Sequence, residues 1–348
     1  MRVAIFANPT VSNIMGASDY VEFREACEYI TEKYPEAYFY FCLPERVRES
    51  ATETFDRVEF VFYDANGFLF YDGQGSAPAG FVEMFHSRIG KYPIDAVWTT
   101  RTTIGATLGR RLQDHRLREG SIPIIIEEYK PVTFEEPAQT VTETDIIVNS
   151  MSYLLGWNMF DTHHCYDLAM GAARAHLSGT AIQKMRDKSE VIYCGVNFDY
   201  IDKYTKDIKK NHQFTCLFGG RINVLKRTDM VFDCIDQFQK FGRDVRGVIC
   251  TPTLPKSKAV EMKALFPSFE FNWSVPKQEF LRRAAASHAF VNASTNEGFS
   301  VGIVEQLYLG LVGVLPNRPW VKGLLMETFD DYPCIFNEKA EMAAKLRW

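Results

Sequence analysis

Glu297 and Glu305 stand eight residues apart in the segment Asn292-Ala-Ser-Thr-Asn-Glu297-Gly298-Phe299-Ser300-Val-Gly-Ile-Val-Glu305. Carboxylates accept hydrogen bonds from hydroxyl groups, so a pair at fixed spacing is a way to hold a polyhydroxylated ligand. The spacing is not distinctive by itself, because Glu28 with Glu36 and Glu119 with Glu127 share it. Context sets this pair apart: the strand-like run HAFVN precedes it, the helical run SVGIVEQLYLG follows, and Gly298 sits at the bend. A strand-to-helix joint presents unpaired backbone N–H groups and the positive end of the helix dipole, which suits a phosphate. With the helix starting near Phe299, Glu305 stands roughly 9 Å along it. The two carboxylates are then placed to hold hydroxyls on either side of a bound diphosphate.

A second joint, Phe218-Gly219-Gly220-Arg221-Ile-Asn-Val-Leu-Lys226, follows another strand-like run. Paired glycines let a backbone turn close to a ligand. Arg221 can grip anionic oxygens with its planar fork and Lys226 can neutralise them as a point charge. A third candidate is Glu127-Glu128, which ends the run Ile124-Ile-Ile and can assist deprotonation of an acceptor, or can be an ordinary strand-end pair. Arg101, Arg110, Arg111, Arg116 and Arg118 form the one local excess of positive charge in the first half. They suit either a solvated helix face or an acceptor-side surface for phosphates. Metal chemistry has weaker support. His163-His164-Cys165 lacks a third ligand at a recognisable spacing, the cysteines are never close enough for a CxxC, and no Asp-x-Asp occurs. No metal and no cofactor are expected.

These residues need elements to carry them. Short β-branched or aromatic runs at 3–7, 38–43, 58–63, 96–99, 122–126, 146–148 and 191–193 alternate with amphipathic segments such as 19–33 and 103–116. The same grammar restarts after the polar, Lys-rich segment 202–212, with runs at 215–218, 245–250, 269–272, 289–292 and 312–315. Alternation of this kind predicts an α/β chain with two doubly wound parallel sheets. The expected domains are residues 1–205 and 206–348, with the ligand at the carboxyl ends of the strands. The aromatic run Tyr38-Phe-Tyr-Phe41 reads as core.

Composition agrees and excludes other classes. The 348 residues are 46% hydrophobic and 24% charged, ordinary values for a folded chain and not those of a disordered one. The longest weakly polar stretch, residues 301–316, is too short to cross a bilayer and contains Glu305, so no transmembrane segment is expected. The amino terminus, MRVAIFANP, lacks the pattern of a secretory signal, and eight dispersed cysteines suit a reducing cytoplasm. The net charge of −5 divides unevenly: residues 1–200 carry 18 Lys and Arg against 28 Asp and Glu, and residues 201–348 carry 21 against 16. The halves are therefore expected to meet different partners.

Taken together, these motifs resemble the retaining glycosyltransferases of family 4, whose B-type fold pairs two facing Rossmann-like domains. The resemblance covers roughly residues 191–320. It rests on Glu297 and Glu305 with the Gly-Phe-Ser bend, on Gly220, Arg221 and Lys226, on the loop Ser274-Val275-Pro276, and on the turn Cys194-Gly195-Val196-Asn197. The resemblance implies a nucleotide-diphosphate sugar donor, UDP-linked most commonly, held by the second domain. Glu305 would accept from ribose hydroxyls and Arg221 and Lys226 would neutralise the diphosphate. Glu297 and the N–H groups of Gly298, Phe299 and Ser300 would orient the sugar, with Gly219, Gly220 and Val275 lining the donor. The first domain departs from the family pattern, with a single late glycine, Gly16, after its first strand and Glu127-Glu128 where many members carry histidine. The layout also resembles phage enzymes that glucosylate hydroxylated pyrimidines in DNA. Three readings stay open: transfer to double-stranded DNA through Arg101, Arg110 and Arg111, transfer to a glycan, lipid or small molecule, and a nucleotide-binding module without transfer activity.

Overall fold

The computed structural model describes residues 1–6, 18–52, 55–63, 94–99, 124–129, 154, 156–222, 224–240, 244–251, 256–273, 275–326 and 329–346. They form two units, Met1–Tyr193 and Cys194–Trp348. Each is built on one parallel sheet.

In the first unit the strands are β1 (Arg2–Phe6), β2 (Tyr38–Pro44), β3 (Val58–Tyr63), β4 (Ala96–Thr99), β5 (Ile124–Tyr129), β6 (Trp157–Phe160) and β7 (Ser189–Val191). Their order is β3-β2-β1-β4-β5-β6-β7, and every pairing is parallel. Helix α1 (Ser18–Lys33) lies between β1 and β2 in sequence, as the amphipathic segment predicts. A parallel strand covered on both faces is apolar throughout and does not alternate. β2 behaves this way: Phe39, Tyr40, Phe41, Cys42 and Leu43 are all buried. The run read from sequence at 146–148 and the helical segment 103–116 lie outside the described residues. β6 was not legible as a strand, and the last run of this half falls at Ser189–Val191 instead of 191–193. His163 and His164 open α2 (His163–His176), where Thr162 accepts from the Cys165 N–H at 3.2 Å and caps the helix. Helix α3 (Gly179–Arg186) follows before β7.

The second unit opens with α4 (Phe198–Thr205), which packs beside the helix at residues 277–286. Gln278 donates to the Tyr204 hydroxyl at 3.3 Å, and Tyr308 donates to Asp202 at 3.0 Å. These contacts carry α4 with the second unit, so the division falls between Tyr193 and Cys194, ahead of the boundary expected after residue 205. The sheet contains β8 (Phe214–Gly219), β9 (Val245–Thr251), β10 (Glu270–Trp273), β11 (Ala289–Val291), β12 (Val312–Pro316) and β13 (Ile335–Phe336). Its order is β10-β9-β8-β11-β12-β13, again parallel. The helices are α5 (Thr228–Lys240), α6 (Lys256–Leu265), α7 (Lys277–Ala286), α8 (Val301–Tyr308), α9 (Pro319–Leu325) and α10 (Lys339–Lys345).

Both faces of β8 are covered. Cys216 and Phe218 join Phe232 and Phe269 on one side, while Leu217 joins Ile303 and Trp320 on the other. Each fully buried side chain of this size contributes about 1.5–3 kcal/mol of transfer free energy, which holds β8 rigidly at the centre of its sheet. Among the described residues no helix is long and apolar enough to cross a membrane.

Candidate functional site

Strand order alone marks where a ligand belongs. In the second sheet β8 has β9 on one side and β11 on the other. The chain leaves β8 for one edge, and after β10 it returns to β11 and proceeds to the opposite edge. Connections that diverge from neighbouring strands open a crevice at their carboxyl ends. The loop after β8 carries Gly219, Gly220, Arg221 and Lys226; the loop after β11 carries Glu297, Gly298, Phe299 and Ser300. Both sequence motifs therefore converge on the one switch point of this sheet.

The loops are joined to each other. Thr295 donates its backbone N–H to the Leu225 carbonyl at 2.9 Å. Asn292 folds its own loop by accepting from the Ser294 N–H at 2.8 Å, and buried Trp320 of α9 donates to the Ser294 carbonyl at 3.2 Å. With both backbones fixed, Lys226 and Glu297 form an ion pair. Both side chains are largely shielded from solvent, so water screens their attraction less than it would on an open surface.

The two glycines after β8 serve different ends. Gly220 has φ of 155°, a conformation that side chains rarely adopt, and its N–H donates to the Cys250 carbonyl at 3.0 Å. Gly219 is needed for packing: a Cβ there would stand 2.5 Å from Cε2 of Phe280, on α7. Its small size admits an aromatic ring, where the sequence reading expected close approach of a ligand. Arg221 is exposed beyond this turn. Arg227 adopts φ of 45° directly after Lys226 and its carbonyl accepts from Met230 and Val231, which starts α5.

Glu305 is buried at 5% exposure, on the fifth residue of α8. The helix begins at Val301, two residues later than expected, so Glu305 stands about 6 Å from the first helical residue along the axis. Its Oε2 accepts from Lys277 Nζ at 2.5 Å. Lys277 and Phe280, one turn apart on α7, thus reach Glu305 and Gly219 respectively. Neither was singled out from sequence. A positive residue at a helix start opposes the helix dipole, and that local conflict at Lys277 was the available signal. Val275 is half-buried just before α7 and packs against the same apolar cluster as Phe280, while Ser274 lies outside the described residues.

The first unit contributes less to the description. Glu127 and Glu128 are the fourth and fifth of the six residues of β5, paired in register with Thr99, Asn158 and Met159. Their side chains, and Arg101, Arg110, Arg111, Arg116 and Arg118 altogether, fall outside the described residues.

No protein-family model matches the sequence, and a search of curated proteins found no match. Solved structures do match. Sucrose-phosphate synthase from Thermosynechococcus elongatus superposes with a TM-score of 0.71 at 13% identity, over 100% of this chain and 89% of that one. The HepE protein of Anabaena, solved with UDP and glucose, gives 0.64 at 11% identity, over 99% of this chain and 88% of its own. A trehalose-6-phosphate synthase studied for glycosyl transfer with retention gives 0.65 at 11% identity, over 100% and 90%. Likeness over whole chains at such identity establishes architecture: the protein has the two-Rossmann-domain fold of the B-type glycosyltransferases.

Proposed function

We propose that the protein is a retaining glycosyltransferase that takes a nucleotide-diphosphate sugar, UDP-linked, in its second unit. The observation that carries this reading is the convergence of Arg221, Lys226, Glu297 and Glu305 on the switch point between β8 and β11. The fold relatives add weight, since the HepE structure holds UDP and glucose and the synthase acts with retention.

In this reading Lys226 and Glu297, paired with each other, are the groups that meet the donor. An arriving diphosphate takes Lys226, and the released Glu297 accepts from sugar hydroxyls alongside the N–H groups of Gly298, Phe299 and Ser300. Glu305 accepts from the ribose. The acceptor hydroxyl attacks the anomeric carbon on the face from which the diphosphate departs. Its proton passes to the leaving phosphate oxygen as the C–O bond breaks. Negative charge grows on that oxygen, and Arg221 and Lys226, already in place, stabilise it. Fixed cations fill the part that a metal plays in many other sugar transferases, so transfer is expected to survive excess EDTA.

The acceptor is a carbohydrate, lipid or small-molecule hydroxyl in the reading the fold relatives favour. The five arginines between 101 and 118 support transfer to a hydroxylated base in duplex DNA as the second reading. Calorimetry with UDP, GDP and ADP tests the donor half: wild-type protein should bind UDP, and Lys226→Ala should bind it more weakly. No binding of any of the three would overturn the reading.

A further inference from the structure

The buried Glu305 poses a physical problem that its neighbour solves. A carboxylate at 5% exposure loses most of its hydration, and a buried charge is costly unless a counter-charge pairs with it. Lys277 supplies that charge, and among the described residues it is the one ion-pair partner of Glu305. The contact is made to Oε2 alone, at 2.5 Å, and Oε1 takes no hydrogen bond among the described residues. The carboxylate is therefore paired and held in one rotation, with one oxygen left to accept.

Lys277 is itself fixed. Pro276 caps the start of α7 in an extended conformation, with φ of −58° and ψ of 149°. One turn on, Phe280 fills the space over Gly219, which ties α7 to the end of β8. The ammonium also lies 5.7 Å from the centre of the Phe280 ring, and the side chain as a whole is 43% exposed. A lysine at the first position of a helix is opposed by the dipole, and the Glu305 contact supplies a local compensation.

From this geometry we infer that Lys277 is a positioning residue for donor recognition: it orients Glu305 so that the open oxygen reads the ribose, and it thereby sets the preference for ribonucleotides over deoxyribonucleotides. The inference rests on the donor reading above. It assigns to α7 a part in selecting the nucleotide, through the Lys277–Glu305 contact.

The test compares UDP with 2′-deoxy-UDP by calorimetry on the full chain. Wild-type protein should prefer UDP by about ten-fold or more, the worth of one charge-assisted hydrogen bond. Lys277→Met should bring the two nucleotides within about two-fold of each other, and Lys277→Arg should restore most of the preference. Lys277→Gln, which keeps a hydrogen-bond donor without the charge, guards against a misfolded Met variant, and its preference should fall between the two. A purely structural role would weaken both nucleotides equally and leave the ratio unchanged. An unchanged ratio in Lys277→Met and Lys277→Gln, or a wild-type protein that binds UDP and 2′-deoxy-UDP alike, would overturn the inference alone. Wild-type protein that binds neither of these, nor GDP nor ADP, would overturn the donor reading and the inference with it.

Discussion

Replacing Glu305 with alanine should weaken nucleotide binding on the order of 10- to 150-fold, the loss of charge-assisted hydrogen bonds worth roughly 1.5–3 kcal/mol. Calorimetry with free UDP checks this, and unchanged affinity would remove Glu305 from the site. Glu297→Gln should behave in the opposite sense. Glu297 pairs with Lys226, so on the proposed reading it competes with the diphosphate for the same cation. Removing that ion pair should tighten free UDP by about two- to five-fold, given roughly 0.4–1 kcal/mol for a partly screened pair. Turnover should fall by about a hundred-fold at the same time, because the sugar loses its orienting carboxylate. Weaker UDP binding in Glu297→Gln would contradict the competition. These residue-level features differ in how far sequence discloses them. The two carboxylates and Lys226 were legible because a strand, a glycine bend and a helix in succession is a local pattern. Lys277 was not, because its partner lies 28 positions away and the one local sign, a cation at a helix start, does not point to that partner.

Elements show the same division between local and tertiary causes. The strands of the second sheet were legible within a residue or two, since buried parallel strands are short apolar runs with clear boundaries. β13, a two-residue strand at Ile335–Phe336, and β6, with the polar Asn158 among its four residues, carry too little of that signal. Glycine function is also tertiary. Gly219→Ala would put a Cβ 2.5 Å from the Phe280 ring, and displacing α7 should cost about 1–3 kcal/mol of stability. Gly302→Ala, in α8, meets nothing within 4 Å and should stabilise the fold by about 0.5–1 kcal/mol. Thermal melts of the two variants should move in opposite directions. Equal melting temperatures would mean that Phe280 does not depend on Gly219.

At the scale of the molecule, the two sheets place first-to-fourth strand switch points at β1–β4 and at β8–β11, and the motif-bearing loops belong to the second. On the proposed reading acceptor choice falls to the first unit, whose sequence motifs were the least legible because Glu127 and Glu128 stand among the apolar residues of one strand and the first glycine after β1 is Gly16. If duplex DNA is the acceptor, reversing Arg110 and Arg111 to Glu should abolish its salt-sensitive binding, each lost phosphate contact removing about 0.9 from the log–log salt slope. Affinity for UDP should be untouched. Wild-type protein without salt-sensitive affinity for a duplex at ~50 mM salt would remove the DNA reading and leave a glycan, lipid or small molecule. The central claim, that the β8–β11 switch point activates a nucleotide sugar with retention, has a more direct test. Proton NMR can follow the protein with a panel of nucleotide sugars in excess EDTA and watch the anomeric signals of the sugar released by slow hydrolysis. The prediction is that one donor is cleaved, that its sugar first appears with the anomeric configuration of the donor, and that Lys226→Ala lacks the activity. Cleavage of no donor, or first appearance of the opposite anomer, would contradict it.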